Sequence, residues 1–187
     1  MGRKTAVLLV LLPILLTACK REDRAMQEAL RFRTELISAG HCEFSCDITA
    51  NYDKLSAEFS ADCSCNGDTA EVRVTAPETI SGIKATVRMD GATMDFEDLE
   101  LVFPTADRDA PSPMLLPRLM DRAWREDPIE AAGIEGELLR VTTAHGYGSE
   151  KLLLDTWLRN GIPTHCEMSK DGVVILNGEI KNYQQKK

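Results

Sequence analysis

The chain has no G-x-S-x-G elbow, no glycine-rich phosphate loop and no H-E-x-x-H pair. It therefore lacks the arrangements that expose a nucleophilic serine, cradle a phosphate or seat a catalytic zinc. Histidine is scarce: His41, His145 and His165 are the three, and none has an acid or nucleophile at a meaningful spacing. A lone histidine reads as a surface or core residue, so neither an enzyme activity nor a cofactor is expected. Basic charge is also short, with 22 Lys plus Arg against 30 Asp plus Glu. That balance repels nucleic acid and anionic lipid surfaces, and nucleic acid is excluded as a partner. After Leu16, no apolar run approaches the roughly 20 residues a membrane-spanning helix needs.

What is present begins at the N-terminus. Met1-Gly2-Arg3-Lys4 is short and basic, Ala6 to Leu16 is apolar apart from Pro13, and Leu16-Thr17-Ala18-Cys19 closes the segment. Basic start, apolar middle and small residues at the cut are the layout of a secretory signal. With a cysteine at the cut, the arrangement resembles the lipobox of bacterial lipoprotein precursors. The resemblance implies cleavage after residue 18 and a mature protein beginning at Cys19, its thiol carrying a diacylglyceryl group. Several acyl chains, of the palmitate kind, hold a protein to a bilayer more firmly than one. Removing Arg3 and Lys4 leaves 20 basic against 30 acidic residues, a net charge near −10. Membrane attachment therefore falls to the anchor. The expected location is the extracytoplasmic side of the cell membrane or the outer membrane. Lys20, after the lipidated cysteine, does not resemble an inner-membrane retention signal.

The expected division is a signal over residues 1–18, a tether over 19–24, one domain over 25–183 and a polar tail over 184–187. Ala25, Met26, Ala29, Leu30, Phe32, Leu36 and Ile37 recur at helical spacing, predicting a helix from about Asp23 to Ala39 with Gly40 as its stop. The period then becomes two. Phe44, Cys46, Ile48, Ala50 and Tyr52 alternate with polar residues, as do Leu55, Ala57, Phe59, Ala61 and Cys63 beyond Asp53-Lys54. This is a hairpin with one dry and one wet face. Further strands carry Ala70, Val72 and Val74; then Ile83 to Met89; Met94 and Phe96; and Leu99 to Phe103. Ser112-Pro113 opens a second helix with Leu115, Leu116, Leu119, Met120, Ala123 and Trp124 on its apolar face, and Pro117 argues for a late start or a kinked first turn. Strands return over Ile134–Thr143, Lys151–Leu158, Ile162–Met168 and Val173–Ile180. Asn160-Gly161 and Asp171-Gly172 sit at hairpin turns, and Val173 to Leu176 is apolar on both faces. The acidic run Asp95, Glu97, Asp98 and Glu100 reads as a solvated strand and turn. The expected fold is α+β: a curled antiparallel sheet of about eight or nine strands, a half-open barrel covered by two helices.

Val72 to Ile83 reads as strand, proline corner (Ala76-Pro77), glycine (Gly82) and strand, with Asp90-Gly91 turning into the next and a proline-flagged helix following. This layout resembles the LolA/LolB-like lipoprotein-carrier fold and its lipid-anchored relatives of the germination lipoprotein GerS type. The resemblance implies binding without catalysis, of an envelope protein partner or of an acyl chain. An acyl-chain cavity would be lined by Phe44, Ile48, Phe59, Val72, Val74, Val87 and Leu119, residues that serve a solid core equally well.

Besides Cys19 there are five cysteines: Cys42, Cys46, Cys63, Cys65 and Cys166. Counting outward from a turn at Asp53-Lys54 sets Cys42 opposite Cys65 and Phe44 opposite Cys63. Export makes disulfides available, and directly opposed strand neighbours lie within bridging distance, so Cys42–Cys65 is the best-placed pair. Buried free thiols are the competing reading. A metal held with His41 or His165 is a third, disfavoured because zinc ligands sit on tight knuckles rather than along a hairpin; no metal is expected.

Overall fold

The structure is a computed structural model that describes residues 23–52, 55–96, 99–103, 112–148 and 151–186. The lipidation site Cys19, the signal segment and the Asp53-Lys54 turn lie outside the described residues. Helix α1 covers residues 23–39. Eleven strands follow, interrupted once by helix: β1 His41–Tyr52, β2 Leu55–Cys65, β3 Ala70–Ala76, β4 Lys84–Val87, β5 Ala92–Phe96 and β6 Leu99–Phe103, then α2 Leu116–Arg125. After it come β7 Ile129–Glu135, β8 Leu138–His145, β9 Leu152–Arg159, β10 Ile162–Lys170 and β11 Val173–Lys186. All form one antiparallel sheet in the order β6-β5-β4-β3-β2-β1-β11-β10-β9-β8-β7. The first and last strands meet in its middle, and β6 and β7 are left as open edges.

The α+β class, the curled open sheet and the two helices are as expected, but the strand count is eleven rather than eight or nine. One cause is Gly136, whose φ of +62° permits a tight turn within what reads as a single strand from Ile134 to Thr143. The segment is instead the hairpin β7–β8, with Glu135 paired to Leu138. The turns at Asn160-Gly161 and Asp171-Gly172 have positive φ at both residues, the two-residue geometry whose twist matches that of the flanking strands. A 3-10 turn at Pro113–Leu115 precedes α2 and absorbs the proline at its start.

The alternation in β1 places Cys42, Phe44, Cys46, Ile48 and Ala50 inward. Helix α1 contributes Ala25, Ala29, Phe32 and Leu36, spaced by four, three and four. Helix α2 is different: all its residues but Arg122 and Arg125 are buried, and even the Arg125 side chain is only 7% exposed, so the helix lies within the interior rather than on it. Phe32, Phe44, Trp124 and Tyr183 join the layers, with ring centroids 5.7–6.5 Å apart. Arg33 reaches from α1 to the far end of α2, donating to the carbonyls of Ala123 (2.9 Å), Trp124 (3.1 Å) and Asp127 (2.7 Å). A cation there satisfies orphan carbonyls and complements the helix dipole.

Tyr183 reaches the core through a bulge. Glu43 pairs with Gln184 but Ser45 pairs with Lys181, so β11 carries one extra residue there. Asn182 takes it up with φ +54°. The inward set switches from Leu176, Gly178 and Ile180 to Tyr183, a one-residue change of phase. β11 then continues through Gln184, Gln185 and Lys186, paired with β1, where the sequence pattern suggests a tail. Of the run that is apolar on both faces, Val173 and Val174 are left 63% and 39% exposed.

Candidate functional site

The seven residues proposed to line a cavity, Phe44, Ile48, Phe59, Val72, Val74, Val87 and Leu119, are all buried and belong to one contiguous core. Helix α2 occupies the space they face. Between the helices and β8–β9, near Phe32, Trp124 and Leu158, lies a void of about 10 Å³, close to the room one water requires.

The densest polar chemistry in this interior lies beneath the first half of α2. Cys42 and Cys65 are directly opposed on β1 and β2. All five described cysteines are free thiols and buried. The Cys65 thiol lies 3.8 Å from the Pro117 carbonyl, and Cys42 Sγ lies 3.9 Å from Asp121 Oδ1. Asp121 is fully buried. Its carboxylate accepts the Gly67 N–H at 2.8 Å and Arg125 Nε–H at 2.7 Å. Arg118, buried like Asp121, sets Nη1 at 3.9 Å from the same carboxylate and donates from Nε to the Asp68 carbonyl at 3.0 Å. Arg125 also donates to the Leu36 carbonyl in the last turn of α1, at 3.1 Å. The β2–β3 turn, the end of α1 and the body of α2 thus converge on one carboxylate. Gly67 makes the approach possible through its backbone, whose φ of +94° suits glycine; a Cβ there would meet Arg125 Cδ only at an ordinary 3.7 Å.

The other thiols continue along the sheet. Cys46 and Cys166 reach over Gly178 from either side, and Cys166 Sγ touches Met120 Sδ at 3.4 Å. Burial pushes the Cys46 thiol up to about 12 and raises Cys63 and Cys166 well above the ordinary range. Cys65 is raised well above it by its hydrogen bond with Cys42, then by burial. These are protonated thiols, not poised nucleophiles. His41 and His165, the histidines considered as metal partners, instead face the polar side, beside Glu43 and Ser64 and beside Glu167 respectively.

The sequence gives no partner for His145, but the structure does. Its Nδ1 lies 3.2 Å from Asp127 Oδ2, and Asp127 also accepts from Arg122 at 3.1 Å. Asp127 follows α2 directly, so the group pins the turn from α2 into β7. Asp121, Arg118 and Arg125 were likewise missed, since α2 reads as an amphipathic helix with these on its wet face. The available signal is the spacing Pro117, Asp121, Arg125, which puts an acid and a base on one helical stripe.

Outside, the polar face forms a hollow of about 620 Å³ spanning β11 and β1 to β5. The Asn182 bulge bends the sheet here. Glu43, Asp62, Glu71, Arg73, Lys84 and Asp95 line it, with Arg73 donating to Asp62 at 2.8 Å and Lys186 bonded to Glu43. Beside it the edge strand β6 exposes Leu101 (47%) and Val102 (74%). A second groove, about 540 Å³, separates α1 from the β7–β8 and β9–β10 turns, with Phe32, Ile134, Leu139 and Leu158 on its floor.

No protein-family model and no curated protein matches this chain. Solved structures of similar architecture do. An uncharacterized conserved protein from Thermus thermophilus aligns with TM-score 0.48 and 10% identity over 86% of this chain and 87% of that one. A LolA superfamily protein from Nitrosomonas europaea aligns with TM-score 0.46 and 8% identity over 86% and 93%. A putative outer membrane lipoprotein-sorting protein domain from Vibrio parahaemolyticus gives 0.47 and 10% over 87% and 92%.

Proposed function

We propose that this protein is a non-catalytic lipoprotein, anchored through Cys19 on the extracytoplasmic side of a membrane, that binds an envelope protein partner through the polar face and open β6 edge of its sheet. The observation that carries the reading is the filled interior: α2 takes the volume an acyl chain would need, and the open volume lies outside. An edge strand with unpaired backbone groups and exposed apolar side chains invites strand addition. The adjoining hollow offers both signs of charge to set the register of a partner. Photo-crosslinking in the native membrane tests this. Crosslinkers at Thr86 in the hollow and at Val102 on β6 are expected to give the same protein adduct, and one at Gln27 on the far side of α1 none. Adducts to lipid alone, or equal yields at all three positions, would refute it. Cys19→Ser is expected to release the protein from the membrane.

A second reading, carriage of an acyl chain, is favoured by the α1 groove, a solvent-facing hollow with apolar residues at its base. It predicts a co-purifying lipid in native mass spectrometry, lost on Ile134→Arg, at a partly buried residue of the groove. An empty protein that also ignores fluorescent fatty acids rules it out.

A further inference from the structure

The buried group under α2 carries unbalanced charge. Arg118 and Arg125 contribute two positive charges and Asp121 one negative, and all three side chains are at least nine-tenths buried. Among the described residues, Arg118 Nη1 and Arg125 Nη2 are buried nitrogens with no hydrogen-bond partner. Uncompensated charge and orphan donors in an interior are costly and call for a missing anion. Asp121 Oδ1 takes Arg125 Nε–H at 2.7 Å and lies 3.9 Å from Cys42 Sγ, so the arginine pair and the thiol pair adjoin through one carboxylate. The ligand atoms of Cys42, Cys65 and Asp121 all lie within 4.8 Å of one another. Two metal–thiolate bonds of about 2.3 Å span at most about 4.6 Å, so the two sulfurs can hold one ion between them with little movement. Asp121 is already engaged by Arg125 and Gly67, which leaves the sulfurs as the free donors.

We infer that Cys42 and Cys65 form a binding site for one soft monovalent metal ion, Cu(I), held as a two-coordinate dithiolate beneath α2. Soft thiolate donors select Cu(I). The charge selects it further. Two thiols and Cu⁺ give a dithiolate complex of charge −1 and release two protons; copper is neither oxidised nor reduced. That single negative charge cancels the surplus of the arginine pair. A Zn²⁺ dithiolate is neutral and leaves the surplus in place, as does a Cys42–Cys65 disulfide. Cys63 and Cys46, buried on the same face beyond the pair, give the site a soft, apolar wall that excludes water.

The test uses the reduced protein, purified with its native N-terminus, titrated anaerobically with Cu(I) against bicinchoninate as competing chelator. One equivalent is expected to stay with the protein. Cys42→Ala and Cys65→Ala should each abolish retention and Cys166→Ala leave it intact, with circular dichroism verifying the fold of each. Arg118→Met, which removes the surplus charge, should weaken retention at least tenfold. Because two protons leave, apparent affinity should rise about 100-fold per pH unit below the thiol range. X-ray absorption on the loaded wild type needs no variant and should show two sulfur neighbours. The inference is overturned if the chelator keeps all the copper, if zinc displaces it at equal concentration, or if the neighbours are nitrogen or oxygen. Recovery of the protein from its own membrane with a Cys42–Cys65 disulfide would overturn it too.

Discussion

Gly178 offers the sharpest test of how the interior is packed. It lies in β11 with a backbone conformation open to any residue, so Gly178→Ala introduces no strain of its own. The obstacle is space: the new Cβ would stand 2.8 Å from Cys166 Sγ, 3.0 Å from Cys46 Sγ and 3.3 Å from Leu116 Cδ2. Each sulfur sits on a single rotatable bond inside a packed sheet and cannot swing aside as a long side chain does. Overpacking of this kind costs about 1–3 kcal/mol. Against it stands about 0.4–1 kcal/mol gained by restricting the unfolded chain. The net expectation is destabilisation by about 1–2 kcal/mol, or roughly 2–8 °C in Tm for a chain of this size. Urea unfolding under reducing conditions should show a lower midpoint with unchanged slope. Cys166→Ala then supplies the control, because it removes the nearest clash. The double variant should be more stable than the two single losses predict, by about 1 kcal/mol of coupling. A neutral or stabilised Gly178→Ala, or strict additivity, would mean that the sulfurs do not meet over Gly178 and that the interior is looser than described.

Three further outcomes follow from the same packing. Asp121→Asn leaves Arg118 and Arg125 without their counter-ion and should cost about 3–5 kcal/mol, read as a fall in the urea midpoint; a loss under 1 kcal/mol would show the cluster to be hydrated. Trp124→Phe removes the indole N–H donated to Thr156 Oγ1 at 3.0 Å and should cost about 1–2 kcal/mol by leaving a buried hydroxyl unpaired, while Thr156→Val in that background should recover part of it. Alkaline pH should destabilise the reduced protein. Its buried thiols are held above their unfolded range near pKa 8.5, Cys46 up to about 12 and Cys63, Cys65 and Cys166 well above the ordinary thiol range. The unfolded state therefore loses protons first. Stability from these groups is complete below the unfolded range and falls as pH rises through it toward the folded values. Thermal melts across that window should decline, and a flat profile would place the thiols in contact with solvent.

The fold was legible where one face is dry and the other wet. The alternation from Phe44 to Cys63 sets the central hairpin and its register, because a one-residue slip would expose every inward side chain. It was illegible where phase changes without a signal. Nothing before Tyr183 marks the bulge at Asn182, since Lys181-Asn182 is polar in either phase. Gly136 hides a turn because its neighbours, Ile134 and Leu138, are apolar and continue the pattern. Periodicity also misjudged α2. It finds the apolar stripe but assumes the other side meets water, whereas α1 and the β2–β3 turn cover that side, and Arg118 and Asp121 are buried there.

That burial has an energetic consequence. A paired charge in an interior is often worth no more than an apolar replacement of the same shape, so the cluster around Asp121 is not explained by stability alone. What it supplies is position. Three chain segments far apart in sequence, the turn at Gly67, the end of α1 at Leu36 and α2 itself, each give a specific donor or acceptor that fits in one arrangement. Apolar contacts would hold α2 under α1 in several rotations; the Asp121 carboxylate selects one. That rotation sets the Pro117 carbonyl and Asp121 over the Cys65 and Cys42 sulfurs. The same rotation lays Met120 against the Cys166 sulfur and brings Leu116 over Gly178, beside which Cys46 and Cys166 lie. The charge cluster and the thiol file are therefore one structural unit. A variant that unpairs Asp121 should loosen the packing over Gly178, and Asp121→Asn is expected to relieve part of the penalty of Gly178→Ala.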